Sequence, residues 1–506
     1  MPRNLNCCAP RASVFTCPSS PVRYNPPVPR PRLLLSLILL VYLAIGGLYA
    51  ALTPPWQVPD EPAHYNYIRH LVEQRSLPIL QPGDYDALYL ERLKAERFPP
   101  NLPTDSVRYE AWQPPLYYLL AAPVFAATNG SLIAIRLFTL SLGALVILLT
   151  YALGRALFPA SPGLALLAAG FIAFVPQHVA MMAAANNDAL AEAILALGLL
   201  LALRVNLPTP SHPHTPAFTR AWIMLGVVLG LAFLSKLSAY PLAALMAVAL
   251  VLAARREGWT RQQLALHAAQ VFGPALLLGG AWWGRNLAVY GGLDFLAFAR
   301  HDLVVQGQLR TSEALALWGA RAYAVNFIQT TFQSFWGQFG WMGVVMDQRV
   351  YLALLAYSIV IIVGCVGAFA GYWRAKAAKH LPSPSRRPWP PERSGVGEPV
   401  EEGLSQRDAL VLLVGQALLT LAVFLYYNLT FVQFQGRYLY PALPVVALAA
   451  AVALRQWAHW LAALLPARFH PLAETLLPLI PLALQAALAL YALYAYILPQ
   501  LAPPPA

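Results

Sequence analysis

The sequence predicts an all-helical integral membrane protein with about eleven transmembrane helices, and two observations support this. Of the 506 residues, 58% are hydrophobic and only 11% are charged, whereas about a quarter of the residues of a soluble protein are usually charged. The hydrophobic residues also form separate runs of about twenty, the length at which an α-helix crosses a hydrocarbon layer of roughly 30 Å. Backbone groups cannot bond to water at that depth, so the runs must be helices.

The predicted spans can be placed in order along the chain and oriented by charge. They cover residues 33–52, 131–153, 162–184, 187–205, 221–238, 239–254, 267–287, 351–373, 409–428, 439–456 and 474–499. Most of the 34 Lys and Arg residues fall in the N-terminal tail and in alternate connections after it, and cytoplasmic connections carry an excess of basic residues. We therefore expect a plasma-membrane protein with a cytoplasmic N-terminus. Topology also explains the net charge of +12 without a nucleic-acid partner.

The sequence before the first span predicts a disordered, basic cytoplasmic tail over residues 1–32, because it is rich in Pro, Arg and Ser. The run at 33–52 exceeds the apolar core of a signal peptide, and no small-residue cleavage site follows it. We therefore interpret it as an uncleaved span, the alternative being a signal peptide. The transmembrane domain then covers 33–456 and includes a proline-rich cytoplasmic linker at 375–408. Residues 457–506 predict a cytoplasmic loop and the last span.

Two long connections, residues 53–130 and 288–350, are predicted on the outer side. The first holds nine of the 22 acids: Asp60, Glu61, Glu73, Asp84, Asp86, Glu91, Glu96, Asp105 and Glu110. Residues 64–75 have apolar side chains at helical spacing, which predicts a helix along the membrane surface. Residues 116–125 are too few to span the membrane and predict a second interfacial or half-inserted helix.

An adjacent pair of acids, Asp60 and Glu61, lies just after the first span in Pro-Pro-Trp-Gln-Val-Pro-Asp-Glu-Pro-Ala-His-Tyr (residues 54–65). Two carboxylates close to lipid are costly unless they have a function. We interpret them, together with His64 one helical turn later, as candidate site residues. The alternative is a solvated loop in which Asp60 caps a helix that begins near Pro62.

A second acidic position is Asp188, at the outer turn between the predicted third and fourth spans. Asp188 is either an N-cap of the fourth span or a site residue, and the two roles are compatible because a helix N-terminus also favours anions. Glu192 lies one turn deeper on the same helix face. It falls in an apolar stretch and therefore needs a partner.

Three basic residues are predicted at the outer membrane edge: Lys236, Arg285 and Arg437. Each alone is typical of a side chain that extends to the interface among aromatic residues. Together with the acids they suit a phosphate-bearing ligand, because Arg offers planar bidentate pairing and Lys a point charge. The sequence has no P-loop, no His-Glu-x-x-His and no Cys-x-x-Cys motif.

The ordered combination of these segments resembles the C-type (GT-C) membrane glycosyltransferases, in the branch of protein O-mannosyltransferases and aminoarabinose transferases. It is similar above all to bacterial membrane proteins that share the Pro-Asp-Glu-Pro-x-His-Tyr pattern. The segments that carry the resemblance are Asp60–Tyr65, Gln113–Tyr118, Arg136–Phe138, Asn187–Asp188, Leu234–Lys236, Trp283–Asn286, Phe335–Trp341 and Gln435–Pro441. The resemblance extends from Leu33 to about Leu454.

The resemblance implies a catalytic domain at 33–456 that moves a sugar from a polyprenyl-phosphate donor to a lipid, glycan or protein acceptor at the outer face. It implies catalytic roles for Asp60, Glu61 and Asp188. The substrate-binding residues are then expected to be His64, Gln113, Lys236, Arg285, Arg437 and Tyr438. Asp60 is expected to act as the general base, and Asp60 and Asp188 could hold a divalent cation such as Mg²⁺ or Mn²⁺. The chain has no large soluble domain of the kind that some relatives carry, so the acceptor is not predicted.

Two other functions remain open from the sequence. A transporter or flippase of lipid-linked saccharides would show internal repeats and polar residues at mid-depth, whereas the conspicuous polar residues here gather at the outer helix ends. A non-catalytic assembly factor that kept the fold would differ only in activity. We therefore predict the transferase and keep these two as alternatives.

Overall fold

The computed structural model describes residues 30–206, 216–379 and 400–502. Nearly all of the secondary structure there is helical, which confirms the predicted class. The predicted tail at 1–29 and the centre of the predicted linker at 380–399 lie outside the described residues. The ends of that linker are not flexible coil, because residues 375–379 and 400–408 belong to two long helices.

Residues 30–206 contain eight helices. They are α1 (Pro31–Leu52), α2 (Glu61–Gln74), α3 (Ala87–Ala95), α4 (Leu116–Ala127), α5 (Leu132–Leu157), α6 (Pro162–Ala173), α7 (Pro176–Met182) and α8 (Asp188–Asn206). The connection at residues 53–130, which is predicted on the outer side, therefore contains three helices. The predicted surface helix at 64–75 is part of α2, but one face of α2 is buried against α4 rather than exposed along the membrane.

Residues 216–379 and 400–502 contain eleven helices and one hairpin. The helices are α9 (Pro216–Phe233), α10 (Leu242–Glu257), α11 (Arg261–Tyr290), α12 (Phe298–Val304), α13 (Thr311–Trp336), α14 (Gln348–Lys379), α15 (Val400–Thr430), α16 (Leu443–Ala462), α17 (His470–Leu476), α18 (Leu479–Tyr491) and α19 (Leu498–Leu501). Strands β1 (Gln338–Phe339) and β2 (Val344–Val345) pair antiparallel. Tight 3₁₀ turns occupy Leu237–Ala239, Gly436–Ala442 and Ala467–Phe469, and Ala492–Ile497 is a π-helical turn.

Every predicted span overlaps one or more helices, but the count of eleven is not reproduced. Within the described ranges, eight helices are long and apolar enough to cross a membrane, or nine if α6 and α7 together form one span. The predicted span at 221–238 is too long, because α9 ends at Phe233 and Lys236 follows in a turn. The structure is thus that of a polytopic membrane protein.

The predicted third span, residues 162–184, is broken rather than continuous. Its two parts, α6 and α7, meet at an angle of 70°. Pro176 begins α7, and the residue before it, Val175, is extended (φ −66°, ψ 116°), as expected because proline disfavours helical geometry in the preceding residue. The break turns α7 and residues 183–187 away from the axis of α6.

The core forms where α5 packs against α1, α6 and α8, and where α16 packs on α6 and α14. The contact between α5 and α6 is close because of Gly154. A Cβ atom at Gly154 would lie 2.7 Å from the Cα atom of Ala165. Small residues allow backbones to approach in this way in membrane helices.

Candidate active site

Asp60 and Arg437, 377 residues apart, form an ion pair in the structure. The Arg437 Nη2 atom donates to Asp60 Oδ2 over 2.7 Å, and the Tyr109 hydroxyl donates to Asp60 Oδ1 over the same distance. The side chain of Arg437 is 6% exposed and that of Asp60 is 26% exposed. Each oxygen of Asp60 therefore accepts one hydrogen bond.

A second ion pair lies beside the first and joins Asp188 to Lys236, with the Lys236 Nζ atom 2.5 Å from Asp188 Oδ1. Asp188 is the first residue of α8, so Asn187 occupies the cap position instead. The N-cap alternative for Asp188 is therefore wrong, although its carboxylate still lies in the first turn, where the helix dipole favours it. Charges on Arg437 and Asp188 influence each other, which places the two pairs in one cluster.

The backbone conformation of Asp60 also excludes the alternative in which the Asp60 side chain caps α2. Asp60 precedes α2 in the left-handed region (φ 68°, ψ −5°), and its side chain makes no cap hydrogen bond. Left-handed residues other than glycine are uncommon, and Asp is among those that tolerate the region. The chain thus turns the carboxylate of Asp60 away from the helix it precedes and towards Arg437.

Arg437 belongs to the 3₁₀ turn Gly436–Ala442, which packs closely against α13 and so fixes the position of Arg437. The Gly436 amide donates to Ser334 Oγ over 2.7 Å. A Cβ atom at Gly436 would lie 2.3 Å from the Thr331 carbonyl oxygen, so the turn can approach α13 this closely only with glycine at this position. The Arg437 guanidinium also lies over the ring of Tyr438, 5.3 Å from its centroid.

The guanidinium of Arg437 is only partly satisfied. Its Nη1 atom lies 3.8 Å from the Met181 sulfur, a weak acceptor. Its buried Nε atom has no hydrogen-bond partner among the described residues. A buried charged donor without an acceptor is costly, and an anionic ligand would satisfy it.

The charges of the cluster set the protonation of Asp60 and His64. Burial acts to raise the pKa of Asp60, but the charge of Arg437 opposes it and keeps the pKa below its usual range. Burial, aided by the charge of Lys236, lowers the pKa of His64 to about 3. At neutral pH Asp60 is therefore a carboxylate, and His64 is a neutral imidazole whose Nδ1 atom lies 2.8 Å from the Tyr118 hydroxyl.

Glu61, predicted beside Asp60 as a catalytic acid, lies in a separate and fully buried ion pair. Arg136 Nε and Nη2 donate to its two oxygens over 2.8 and 2.7 Å. The Trp56 and Ala185 amides donate to the same carboxylate. Arg136 also donates to three carbonyl groups, those of Ala50, Thr53 and Pro54. The pair thus fastens the end of α1 to α5.

Glu110 belongs to the cluster, although nothing in the sequence distinguishes it from the other acids of its segment. It follows Tyr109, which bonds to Asp60. Burial, together with the negative charge of Asp60, raises the pKa of Glu110 to about 7. Its Oε2 atom is enclosed and has no hydrogen-bond partner in the part of the chain that the structure describes.

The remaining predicted residues divide between the cluster and its surroundings. Gln113 lies beside Glu110 and within 3.5 Å of Asn187. Arg285 instead donates to the Pro78 carbonyl over 2.5 Å and lies over the ring of Trp282. None of the described contacts of Arg285 is therefore with a residue of the two ion pairs.

Glu192 has the partner that its position requires. Its Oε2 atom lies 3.1 Å from His178 Nε2, and both side chains are buried. His178 lies on α7, the short helix after the break in the third span.

A small, largely apolar cavity of about 20 Å³, room for about one water molecule, lies beside the neighbours of the Asp60–Arg437 pair. Val58 and Pro59 line it just before Asp60, and Met181 lines it where it touches Arg437. The other walls come from α1, α7, the β1–β2 turn and the C-terminal helices.

Comparison with known proteins gives one family match and several similar structures. The family model described as dolichyl-phosphate-mannose-protein mannosyltransferase matches residues 112–283, less than half of the chain. No curated protein matches the sequence. The apo oligosaccharyltransferase of Archaeoglobus fulgidus superposes with a TM-score of 0.50 at 14% identity, over 90% of this chain and 56% of that one.

Two further structures are similar. ArnT from Cupriavidus metallidurans bound to undecaprenyl phosphate has a TM-score of 0.47 at 16% identity, over 93% of this chain and 73% of that one. The S. cerevisiae protein O-mannosyltransferase Pmt1-Pmt2 complex bound to the sugar donor has a TM-score of 0.36 at 16% identity, over 57% of this chain and 35% of that one. The chain has the fold of the C-type membrane glycosyltransferases, as its resemblance to them implies.

The proposed metal ligands do not fit a cation as they stand. Asp60 and Asp188 each already pair with a basic side chain. The described residues contain no group of three or more His, Cys, Asp or Glu side chains able to hold a metal ion. An A. fulgidus oligosaccharyltransferase structure is a complex with Zn and sulfate, but here the two basic side chains occupy the carboxylates.

Proposed function

We propose that this protein transfers a sugar from a polyprenyl-phosphate donor to an acceptor hydroxyl. The observation that carries the proposal is the Arg437 guanidinium, which is nearly buried, has an unpaired Nε atom among the described residues and lies in the same charge cluster as Lys236. Two basic side chains suit the phosphate of such a donor. The GT-C fold and the mannosyltransferase family match support the same class of reaction.

In the reaction we propose, the acceptor oxygen attacks the sugar carbon bonded to the phosphate oxygen, and that C–O bond breaks. The electron pair leaves with the phosphate, and the proton of the acceptor passes to a carboxylate. Arg437 and Lys236 would stabilise the charge that develops on the phosphate, as fixed positive groups do when they face a leaving group. Asp60 and Asp188 would hold these cations in place, and no divalent cation is needed for that role.

We also propose that the cluster faces the outer side of the membrane and that the N-terminus is cytoplasmic. The basic residues of the sequence favour this orientation. Asp60 and Glu110 both belong to the connection that follows the first span, so this orientation places them outside. A lipid-linked donor presented in the outer leaflet would then reach Arg437 from the membrane.

The test is donor consumption by the purified protein. We expect at least one of the undecaprenyl-phosphate-linked sugars mannose, glucose, galactose and aminoarabinose to be consumed, with release of undecaprenyl phosphate detected by mass spectrometry. Transport of these lipids across proteoliposomes without consumption would contradict the transferase and favour the flippase.

Binding of undecaprenyl phosphate tests the phosphate site separately. Arg437→Ala and Lys236→Ala are each expected to weaken binding about tenfold or more, because a charge-assisted hydrogen bond is worth about 1.5–3 kcal/mol. Arg321→Ala is the control, since Arg321 is an exposed basic residue of α13. Unchanged affinity in the first two variants, together with lower thermal stability, would mean that these residues only anchor the helices.

A further inference from the structure

A second and larger cavity lies on the connection at residues 53–130, and no step of the proposed reaction uses it. Its volume is about 200 Å³, whereas a cavity of about 150 Å³ already holds a benzene ring. It is therefore large enough for a six-membered ring with substituents. Polar side chains contribute much of its lining, and we call it the Asn66 cavity. The residues that line it include Asn66, Tyr67, His70, Ser76, Asp84 and Arg108.

One wall of the Asn66 cavity, at Pro78 and its neighbours, is fixed by side chains from two other helices. Arg285 Nη2 donates to the Pro78 carbonyl oxygen over 2.5 Å, and the Leu80 amide donates to the Tyr290 hydroxyl over 3.2 Å. Arg300 Nε donates to the Leu80 carbonyl oxygen over 2.8 Å. Because these side chains come from α11 and α12, the wall is held in place without a ligand.

Asn66 offers the cavity a hydrogen-bond acceptor. Its Nδ2 atom donates to the carbonyl oxygens of Thr104 and Val107 over 2.7 and 2.9 Å. Both donors of the amide are therefore used within the protein, and its orientation is fixed. The residue is only 3% exposed, and no described residue donates to its Oδ1 atom. This oxygen is therefore available to a hydroxyl group of a ligand in the cavity.

Arg108 offers the cavity a hydrogen-bond donor, although its charge is already neutralised. Its Nε and Nη2 atoms lie 2.8 and 2.7 Å from Asp84 Oδ1. The side chain of Asp84 is 3% exposed and that of Arg108 is 51% exposed. The Nη1 atom of Arg108 bonds to no described residue and is free to bind a ligand. Since the pair carries no net charge, the cavity favours a neutral ligand with hydroxyl groups.

His70 and Ser76 add two further polar groups without adding charge. His70 Nε2 lies 3.2 Å from Ser76 Oγ. Burial, aided by the charge of Arg108, lowers the pKa of His70, so its imidazole is largely uncharged at neutral pH. A neutral imidazole and a hydroxyl can each donate and accept a hydrogen bond, as the hydroxyl groups of a sugar require.

The Asn66 cavity shares a chain segment with the charge cluster. Arg108 and Ala111 line the cavity, whereas Tyr109 between them donates to Asp60. Tyr67, which also lines the cavity, belongs to α2, the helix that begins directly after Asp60. A ligand in the cavity would therefore lie next to the cluster but outside it.

We propose that the Asn66 cavity binds one neutral hexose unit of a glycan acceptor. The inference rests on the proposed function and deepens it, because it names the class of acceptor. The hydroxyl groups of a hexose can donate to Asn66 Oδ1 and accept from Arg108 Nη1, and its ring fits the volume of the cavity. The donor sugar must stay bonded to the phosphate at Arg437 until transfer, so a sugar in this cavity belongs to the acceptor.

Protection of a cysteine in the cavity measures occupancy without any need for transfer. Ser76 is exposed and lines the cavity, so Ser76→Cys, in the full chain without its four native cysteines, should react more slowly with a thiol reagent when a sugar is bound. The probes are the methyl glycosides of glucose, galactose and mannose. A ligand of this size is expected to bind with a Kd of roughly 1 mM, so about 10 mM of the preferred glycoside should slow labelling about tenfold. Ser106→Cys, which is exposed away from the cavity, should react at an unchanged rate.

A substitution at Arg108 tests the assigned contact. In the Ser76→Cys protein, Arg108→Gln should raise the glycoside concentration needed for protection about tenfold, because a charge-assisted hydrogen bond is lost. Arg92→Gln is the matched control, since Arg92 is also exposed and paired with an acid, Glu96, but does not line the cavity. Equal protection in the two variants would place the sugar elsewhere and overturn the assignment.

The acceptor role is tested with the trisaccharide of whichever hexose protects. In the active wild type the donor sugar should appear on this trisaccharide, and Arg108→Gln should raise its KM about tenfold. Protection without transfer to the trisaccharide, in a protein that consumes donor, would overturn the acceptor role alone.

The remaining outcomes separate the cavity from the proposed function. Protection by none of the three glycosides, or equal slowing at Ser76→Cys and Ser106→Cys, would overturn the sugar site and leave the proposed transfer standing. Protection by methyl glucuronide alone would indicate an anion site and overturn the inference equally. A protein that consumes no donor would overturn the proposed function, and the acceptor role with it, even if the glycosides protect.

Discussion

At the scale of single residues, the neighbouring acids Asp60 and Glu61 lie in different surroundings. Glu61 forms a fully buried ion pair with Arg136, whereas Asp60 is partly exposed and pairs with Arg437. Asp60 and Glu61 are neighbours, yet the turn at Asp60 sends one carboxylate to Arg437 and the other into the protein. Arg136 and Glu61 are 2% and 0% exposed, respectively. The second acid of the motif therefore stabilises the framework on which the first is placed.

Replacement of Glu61 should affect stability before activity. Glu61→Gln leaves the charge of Arg136 buried without compensation, and breaking one side of a buried pair costs about 3–5 kcal/mol. We expect a lower free energy of unfolding in denaturant titrations of the purified protein. Glu61→Gln combined with Arg136→Met should recover part of the loss, because no charge is then left unpaired. Equal stability of Glu61→Gln and the wild type would contradict the framework role.

The sequence could identify individual site residues only where their setting was unusual. Asp60, Asp188, Lys236 and Arg437 interrupt or adjoin apolar runs, and the structure brings all four together. Glu110 lies among many acids of a polar segment, so its setting carries no such signal. Its position depends on how the segment folds back onto the spans, which is a tertiary property.

At the scale of elements, the 3₁₀ turn Gly436–Ala442 determines where Arg437 lies. It is fixed at both ends, by the Gly436 amide on Ser334 and by the Tyr440 hydroxyl on the Phe335 carbonyl oxygen. Both contacts are with the last turns of α13. The position of Arg437 in the proposed phosphate site thus depends on how this turn packs against α13.

Gly436→Ala tests this dependence. The added Cβ atom would lie 2.3 Å from a backbone carbonyl oxygen of α13, so the turn must move, and Arg437 must move with it. We expect the affinity for undecaprenyl phosphate to fall about tenfold or more, a cost of about 1.4 kcal/mol. Gly280→Ala, in a helix position with no atom within 4 Å of the new Cβ, should bind normally. Equal affinities of the two variants would show that the turn tolerates displacement.

Helices could be predicted from the sequence where a hydrophobic run alone identifies them. The spans could be placed to within a few residues, but α13 was not predicted, because its polar residues interrupt the apolar run that identifies a span. The break between α6 and α7 was also missed. Pro176 gave the local signal, but whether a proline kinks or divides a helix depends on what the freed backbone packs against.

At the scale of the whole molecule, orientation is the property on which the proposed reaction depends. A polyprenyl-phosphate donor is reached only if the cluster opens to the side on which the donor is presented. We expect residues 53–130 outside and residues 375–408 inside the cell.

Cysteine labelling measures this directly. In a background without Cys7, Cys8, Cys17 and Cys365, an impermeant thiol reagent applied to intact cells should label Ser106→Cys and spare Ser394→Cys. Ser106 is exposed in the structure, and Ser394 lies outside the described residues. Permeabilised cells, in which both should react, control for reagent access. The reverse labelling pattern in intact cells would show that the protein has the opposite orientation and that the cluster lies at the cytoplasmic face.

The buried carboxylate of Glu61 also has a consequence for biogenesis. Its charge is neutralised by Arg136, which is 75 residues later in the chain, and it accepts a further hydrogen bond from the Ala185 amide, 124 residues later. At about 5–20 residues per second, a ribosome that has translated Glu61 needs roughly 4–15 s to reach Arg136. During that interval the nascent first span and outer segment cannot take up their final geometry. Glu61 can therefore reach its buried position only after α5, which carries Arg136, has been synthesised.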